Sequence, residues 1–356
     1  MSIREPQVIL YTMAHPIPTQ GNFCGTRGSR PWAGTARRSS ATVRALGSLL
    51  VFLVAGACAN RSGDAKAAGK SASIRLFNAA SIARPLRVLA DSFSARTGIR
   101  VFQESQSSLE LARKLTEFDD IPDVLALADY RVFPALLAPK YVEGWFLFAR
   151  NRMVIGYTDQ SRHADALAND GWRRVLTRGD VQIGRSDPNT DPSGYRTLMA
   201  FQLAELHYGE PGLAKRLLAA AAARNVRPRE ADQVGMLQAG SLDYIWTYEN
   251  LAKSAGLKYV RLPSAVDLSS PADSLRYNQV FVTVAGKQRG DSVSFRGEPI
   301  LYGIAVPAAA PDTTRGHQFV QFMLSEAGRR ILRAASLDAL DQPVAMGNAV
   351  STRSIP

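Results

Sequence analysis

Three short apolar runs, at residues 74–77, 99–103 and 123–128, alternate with stretches whose apolar positions recur at helical spacing. In residues 82–97 the stripe is Leu86, Leu89, Ala90 and Phe93, with Gly98 as a stop, and residues 109–118 and 130–137 supply the next two helices. A chain patterned this way builds strand–helix–strand units, which set a mainly parallel sheet between helices on both faces. The fold class is therefore α/β. Ligands of such sheets lie beyond the carboxyl ends of the strands, and the polar turns at 78–81 and 105–108 occupy those ends.

Further along, the apolar segments 144–149 and 153–157 form a long strand pair interrupted by Arg150, Asn151 and Arg152. This is read as the crossing into a second lobe. Helices are expected at 172–177, 212–223 and 231–238, a strand at 244–248, and irregular chain at 262–276. Strands at 280–284 and 299–307 then lead back, and a helix over 316–334 closes the body. The expected organisation is lobe I at 74–150 and 286–350, lobe II at 151–285, and a ligand cleft between them.

With 356 residues and a formal net charge of +12, the chain has room for two domains and invites a nucleic-acid reading. Residues 1–57, however, hold six arginines and a single acid, so +5 of that charge belongs to the leader. In the remainder Lys and Arg are scattered among acids, without a run or an aromatic-interleaved stripe, which argues against a dedicated nucleic-acid surface. A basic surface still suits the attraction of small anions. Both cysteines, Cys24 and Cys58, precede the first core segment, and the 4 histidines are far apart. Neither a disulfide framework nor a thiolate or histidine metal site is expected in the body.

Residues 45–57 are an apolar block behind Arg37, Arg38 and Arg44. The block falls short of the ~20 residues of a spanning helix and suits a secretory signal. Ala55, Gly56 and Ala57 before Cys58 resemble a bacterial lipobox, although Leu53 and Val54 stand upstream of the usual leucine position. Residues 1–58 are thus read as leader and signal, Cys58 as a lipidated N-terminus, and 59–73 as a flexible tether. A plain signal peptide or a short buried helix are the alternatives. The expected location is the periplasm or the outer side of the cytoplasmic membrane, with a lipid as the membrane contact.

The stretch 181–206 reads as a strand end, a tight loop with two Asp-Pro steps, and a helix carrying Leu198, Met199, Phe201, Leu203 and Leu206. Helix starts present free N–H groups and attract oxyanions. Small polar residues follow strands at three such starts: Ser81, Ser107 with Ser108, and Asp191 to Gly194. Each alone is an ordinary cap; their repetition on both sides of a cleft points to an anion site. In the same lobe as the last, a strand of aromatics ends in Tyr248 and Glu249.

The residues Ser186-Asp187-Pro188-Asn189-x-Asp191-Pro192-x-Gly194-Tyr195-Arg196, with Asp243-Tyr244-x-x-x-Tyr248-Glu249, look like the tungstate/molybdate-binding proteins of bacterial and archaeal ABC importers. Asn78-Ala79-x-Ser81, Arg113-Lys114-Leu115 and the run from Pro299 to Pro307 fit as well, so the resemblance spans about 74–336. It implies a two-lobe type II periplasmic-binding-protein fold closing over one oxyanion. It also implies that Ser81, Ser108, Ser193, Gly194 and Tyr248 surround the ligand, and that Asp191 and Glu249 approach its metal. Asp187 competes with Asp191, and Ser107 with Ser108. Where the family often has Cys, this chain has Ser193, and Gln106-Ser107-Ser108 stands where a Gly-Ser step is common.

The carboxylates sharpen this expectation. Beside sulfate or phosphate a buried carboxylate is an uncompensated like charge, whereas hexavalent molybdenum or tungsten accepts hard oxygen ligands. The implied function is a solute-binding protein that hands tungstate or molybdate to an ABC permease, as a monomer, without cofactor or catalysis. Sulfate, phosphate or a ferric complex are the alternatives within that class. A hydrolase using Asp191 or Glu249 as base is the alternative outside it, and it lacks an evident nucleophile.

Overall fold

The computed structural model describes residues 72–167, 171–286 and 290–349. The block 45–57, Cys58 and the tether up to residue 71 lie outside the described residues. The body starts with β1 (Ser73–Ala79), α1 (Ala83–Thr97), β2 (Arg100–Gln106), α2 (Ser108–Phe118) and β3 (Val124–Leu127). Helix α1 buries Leu86, Leu89, Ala90 and Phe93, and ends where Gly98 adopts φ 73° and donates its N–H to Ser94 O. The expected helix at 130–137 contracts to a single π-helical turn, Phe133–Leu137, with a proline inside.

The chain then runs through β4 (Gly144–Arg150), β5 (Met153–Tyr157), α3 (Trp172–Leu176), β6 (Ile183–Ser186), α4 (Pro192–Tyr208), α5 (Leu213–Ala220), β7 (Val226–Arg227), α6 (Glu230–Gln238), β8 (Tyr244–Tyr248), α7 (Glu249–Ser254) and β9 (Lys258–Arg261). Two one-turn helices follow, α8 (Ser264–Asp267) and α9 (Ser274–Tyr277). A hairpin of β10 (Phe281–Ala285) and β11 (Ser292–Arg296) precedes β12 (Leu301–Ala305), α10 (Thr313–Leu324), α11 (Glu326–Ala334) and β13 (Asp338–Gly347).

Among the described residues two larger sheets result besides the β10–β11 ribbon, in the orders β13-β4-β12-β3-β1-β2 and β7-β6-β8-β5-β9. Both are mixed, which corrects the expectation of mainly parallel sheets. Parallel pairing is confined to the strand–helix–strand units, β1 with β2 and β3, and β6 with β7 and β8. Strands β4, β12 and β13, and β5 and β9, make antiparallel pairs, including that of β12 with β3. Although β4 and β5 are consecutive, they join different sheets, and the chain passes between the sheets at Asn151 and Arg152.

Three further departures have local causes. β10 buries only Val282 and Val284, so it forms a separate hairpin instead of entering a sheet covered on both faces. The closing helix breaks at Ser325, whose extended backbone (ψ 163°) lets its side chain accept from Gly328 N and start α11. A Cβ on Gly328 would meet Phe322 O at 2.2 Å, so only glycine permits that corner. β13 gave no strand signal because it is a largely exposed edge strand whose register shifts between Ala339 and Val344.

Candidate functional site

The loop after β6 is folded by its first aspartate. Asp187 Oδ1 accepts from Asn189 N at 2.9 Å, and its carbonyl accepts from Asp191 N at 2.9 Å. Asp187 is therefore spent on the turn. Asp191 is the N-cap of α4, with Pro192 in the first turn; its Oδ1 accepts from Ser193 N at 2.9 Å, and Gly194 N donates to Asp191 O at 2.9 Å. The first amides of α4, expected to be open to an anion, are thus taken up by its own cap. Gly194 has a steric role: a Cβ there would come within 2.6 Å of the Asp187 and Pro188 backbone.

The second oxygen of Asp191 leads to a residue that sequence reasoning missed. Oδ2 accepts from the backbone N of Glu230 at 2.9 Å, at the start of α6. Glu230 is 1% exposed, and its Oε1 accepts from Thr247 Oγ1 and from Tyr248 N. Its Oε2 is buried with no hydrogen-bond partner. Burial raises both carboxyls, and the charge of Asp191 raises Glu230 further, against the opposing hydrogen bonds and Arg196. At neutral pH Glu230 is thus largely protonated beside a largely ionised Asp191, and one of the Glu230 oxygens is left without a partner.

The other expected residues gather near this dyad. Tyr248 Oη accepts from Arg196 Nη1 at 2.7 Å, and the same Nη1 donates to Ala128 O at 2.7 Å. Ala128 N in turn donates to Ser108 Oγ at 3.0 Å, leaving the Ser108 hydroxyl hydrogen available. Ser107 caps α2 in a reciprocal box with Glu110, which separates its role from that of Ser108. Ser81 lies in the turn after β1, against which α6 packs, and its hydroxyl faces Tyr302. Leu109 N donates to Thr190 O at 3.1 Å, joining the α2 start to the loop before α4. Ser193 is fully buried and faces Ser186, whose hydroxyl it accepts at 3.4 Å.

Glu249 is placed differently. Its Oε1 takes Arg261, Tyr259 and Lys253, and Oε2 takes Arg152 at 3.2 Å. It lines a cavity of about 210 Å³ beside the crossing, with Arg150, Asn151, Arg152 and Asn250. Burial pushes its carboxyl up, and Arg261 and Lys253 outweigh that and hold it low. A carboxylate already neutralised by three cations is a poor ligand for a further centre. Glu230 was missed because it precedes the helical periodicity seen from Ala231 onward. The available signal was close to the one that drew attention to Glu249: an acid at a helix start, here separated from a strand by two residues. Arg196 gave a weaker signal, since an arginine in a helical stretch usually faces solvent.

The profile of the bacterial extracellular solute-binding protein family matches residues 74–336. The chain belongs to that family. Among related members, the molybdate/tungstate-binding protein WtpA of Pyrococcus abyssi is 34% identical over 326 residues, covering 84% of this chain and 93% of its own. The protein of the same name from Thermococcus kodakarensis is 32% identical over 84% of this chain and 91% of its own. In three dimensions the chain resembles the Azotobacter vinelandii periplasmic molybdate-binding protein, with a TM-score of 0.56 at 16% identity over 76% of this chain and 100% of that one. At that identity the likeness speaks for the fold, the two-lobe α/β architecture of periplasmic binding proteins. Membership in this family makes the protein an extracytoplasmic solute binder, and the dyad at the starts of α4 and α6 is the candidate solute site.

Proposed function

We propose that the protein captures molybdate or tungstate between its two halves and hands it to an ABC permease, with Cys58 as the lipid-modified anchor. The observation that carries this reading is the Asp191–Glu230 dyad with its unpartnered Glu230 Oε2. An oxyanion whose central atom takes no further ligands would meet two carboxyls there and gain nothing from them as carboxylates. A hexavalent molybdenum or tungsten centre accepts both oxygens as ligands, and the buried like charges become the basis of selectivity. Ser81, Ser108 and Tyr248 supply hydroxyl donors for the oxyanion oxygens, and the basic body draws the ligand in. Glu230 takes the role that the resemblance suggested for Glu249. The relatives named for molybdate and tungstate support the same ligand class.

Thermal denaturation with molybdate, tungstate, sulfate and phosphate tests this directly. Saturation at about 1,000 times the dissociation constant adds ~4 kcal/mol of stability, so the two metal oxyanions raise the melting temperature and the other two leave it unmoved. An equal rise with sulfate rejects the selective site.

A further inference from the structure

Beyond the dyad, the first turns of α4 carry two side chains across to the other half of the molecule. Tyr195 Oη donates to Asp129 Oδ2 at 2.5 Å, and Arg196 Nη2 stands 3.1 Å from the same oxygen. Asp129 follows β3 of the first sheet, whereas α4 packs against β5, β6 and β8 of the second. Asp129 and Tyr195 are 0% exposed and Arg196 is 1% exposed. The interface between the halves therefore contains a fully buried ion pair with a phenol hydrogen bond on the same acceptor.

Asp129 also has a partner on its own side. Arg131 Nη2 lies 3.0 Å from Oδ2, and Arg131 N donates to Oδ1 at 3.0 Å. Burial pushes the Asp129 carboxyl up, but Arg131 and Arg196 outweigh it and hold the group well below the usual range. Separation of the halves would leave Asp129 paired with Arg131, and Arg196 still bonded to Tyr248. The link between Asp129 and α4 can thus be broken without stranding the Asp129 charge, while Arg196 would exchange Asp129 for solvent. Phe295 of the hairpin covers it, stacking on Tyr195 at 4.8 Å and lying under the Arg131 guanidinium at 5.3 Å. Covering the pair keeps water out and strengthens it.

We propose that Asp129 is a positioning residue for closure: it is the anchor in the first half on which Tyr195 and Arg196 dock, and it thereby sets how long a bound oxyanion is retained. Because Arg196 Nη1 also holds Tyr248, docking on Asp129 fixes a hydroxyl of the ligand site at the same moment. The inference rests on the ligand lying between the halves, as proposed above.

The test uses Asp129→Asn, which keeps the shape and removes the charge, and Tyr195→Phe, which removes one hydrogen bond and keeps the stacking. Stopped-flow release of molybdate from Asp129→Asn accelerates roughly ten- to hundredfold, with the association rate changed less than about threefold. Tyr195→Phe accelerates release by a smaller factor, and it carries the test if Asp129→Asn fails to fold. Small-angle scattering of the ligand-free proteins gives a second readout, with the variants less compact than wild type. Unchanged release rates and superimposable scattering profiles in folded variants overturn the clamp. If wild-type protein binds no oxyanion at all, the ligand reading falls, and the ligand-free scattering alone decides the clamp.

Discussion

The backbone amide of Glu230 donates to Asp191 Oδ2 at 2.9 Å, so the hydrogen bond that fixes the start of α6 also sets two acidic side chains next to each other. Neither acid has a cation in direct contact among the described residues; Arg196 acts on both only through space. The bond joins two helix starts of the second half and keeps the dyad in place before any ligand arrives.

This arrangement has a sign that pH titration reads. Burial raises Asp191 to about 6 and Glu230, with Asp191 beside it, to about 8, from unfolded values of 3.8 and 4.5. A carboxyl whose folded value is raised binds more protons in the native state, so stability present below the unfolded values is lost as pH rises through the folded ones. Ligand-free protein is expected to lose melting temperature between about pH 4 and pH 8. Glu230→Gln flattens that decline and melts a few degrees above wild type at the alkaline end. Scanning calorimetry across the range checks it, and parallel wild-type and variant curves would contradict the assignment.

The two glutamates separate by substitution. Glu230→Gln is expected to weaken molybdate binding roughly 100-fold, about 2.7 kcal/mol, with little loss of fold. Glu249→Ala leaves Arg152 and its other cationic partners without their shared acceptor and costs about 1–3 kcal/mol of stability. Its molybdate affinity stays within a few-fold of wild type. Calorimetric titration and denaturation of both variants check the pair, and the reverse pattern restores Glu249 as the ligand residue.

Gly194 is expected to tolerate no side chain. In Gly194→Ala the new methyl would sit 2.6 Å from the Asp187 and Pro188 backbone, so either the loop lifts or α4 shifts. Overpacking of that kind costs about 1–3 kcal/mol, and it moves Asp191 away from Glu230, so affinity falls together with melting temperature. An alanine variant with wild-type affinity would show that the loop is free to move without disturbing the dyad.

The body's strand and helix starts were legible because apolar periodicity reports which faces are buried, and α1 shows it in Leu86, Leu89, Ala90 and Phe93. The direction of strand pairing was not legible, since β4 and β12 have the same apolar content whether they run parallel or antiparallel. Asp191, Ser108 and Tyr248, which lie near Glu230 in the structure, were singled out through helix starts and resemblance. Glu230 was hidden because its partner is set by a long-range contact, Asp191 Oδ2 to a backbone amide 39 positions away. Glu249 attracted attention by the same local pattern, and its competing cations, Arg152 and Arg261, are brought in by tertiary structure.

Binding and protons should be linked. For the Glu230 carboxyl to ligate a metal centre it must be deprotonated, and at pH 7 a group raised to about 8 is mostly protonated. Molybdate binding at pH 7 is therefore expected to release a substantial fraction of a proton, and affinity should rise from pH 6 to pH 8. An oxyanion held instead by protonated carboxyls acting as donors would show the opposite sign and take protons up. Titration calorimetry in buffers of different ionisation enthalpy measures the number and its sign. Proton uptake with molybdate would mean that the carboxyls face the oxyanion oxygens as acids, and coordination by Glu230 would have to be abandoned.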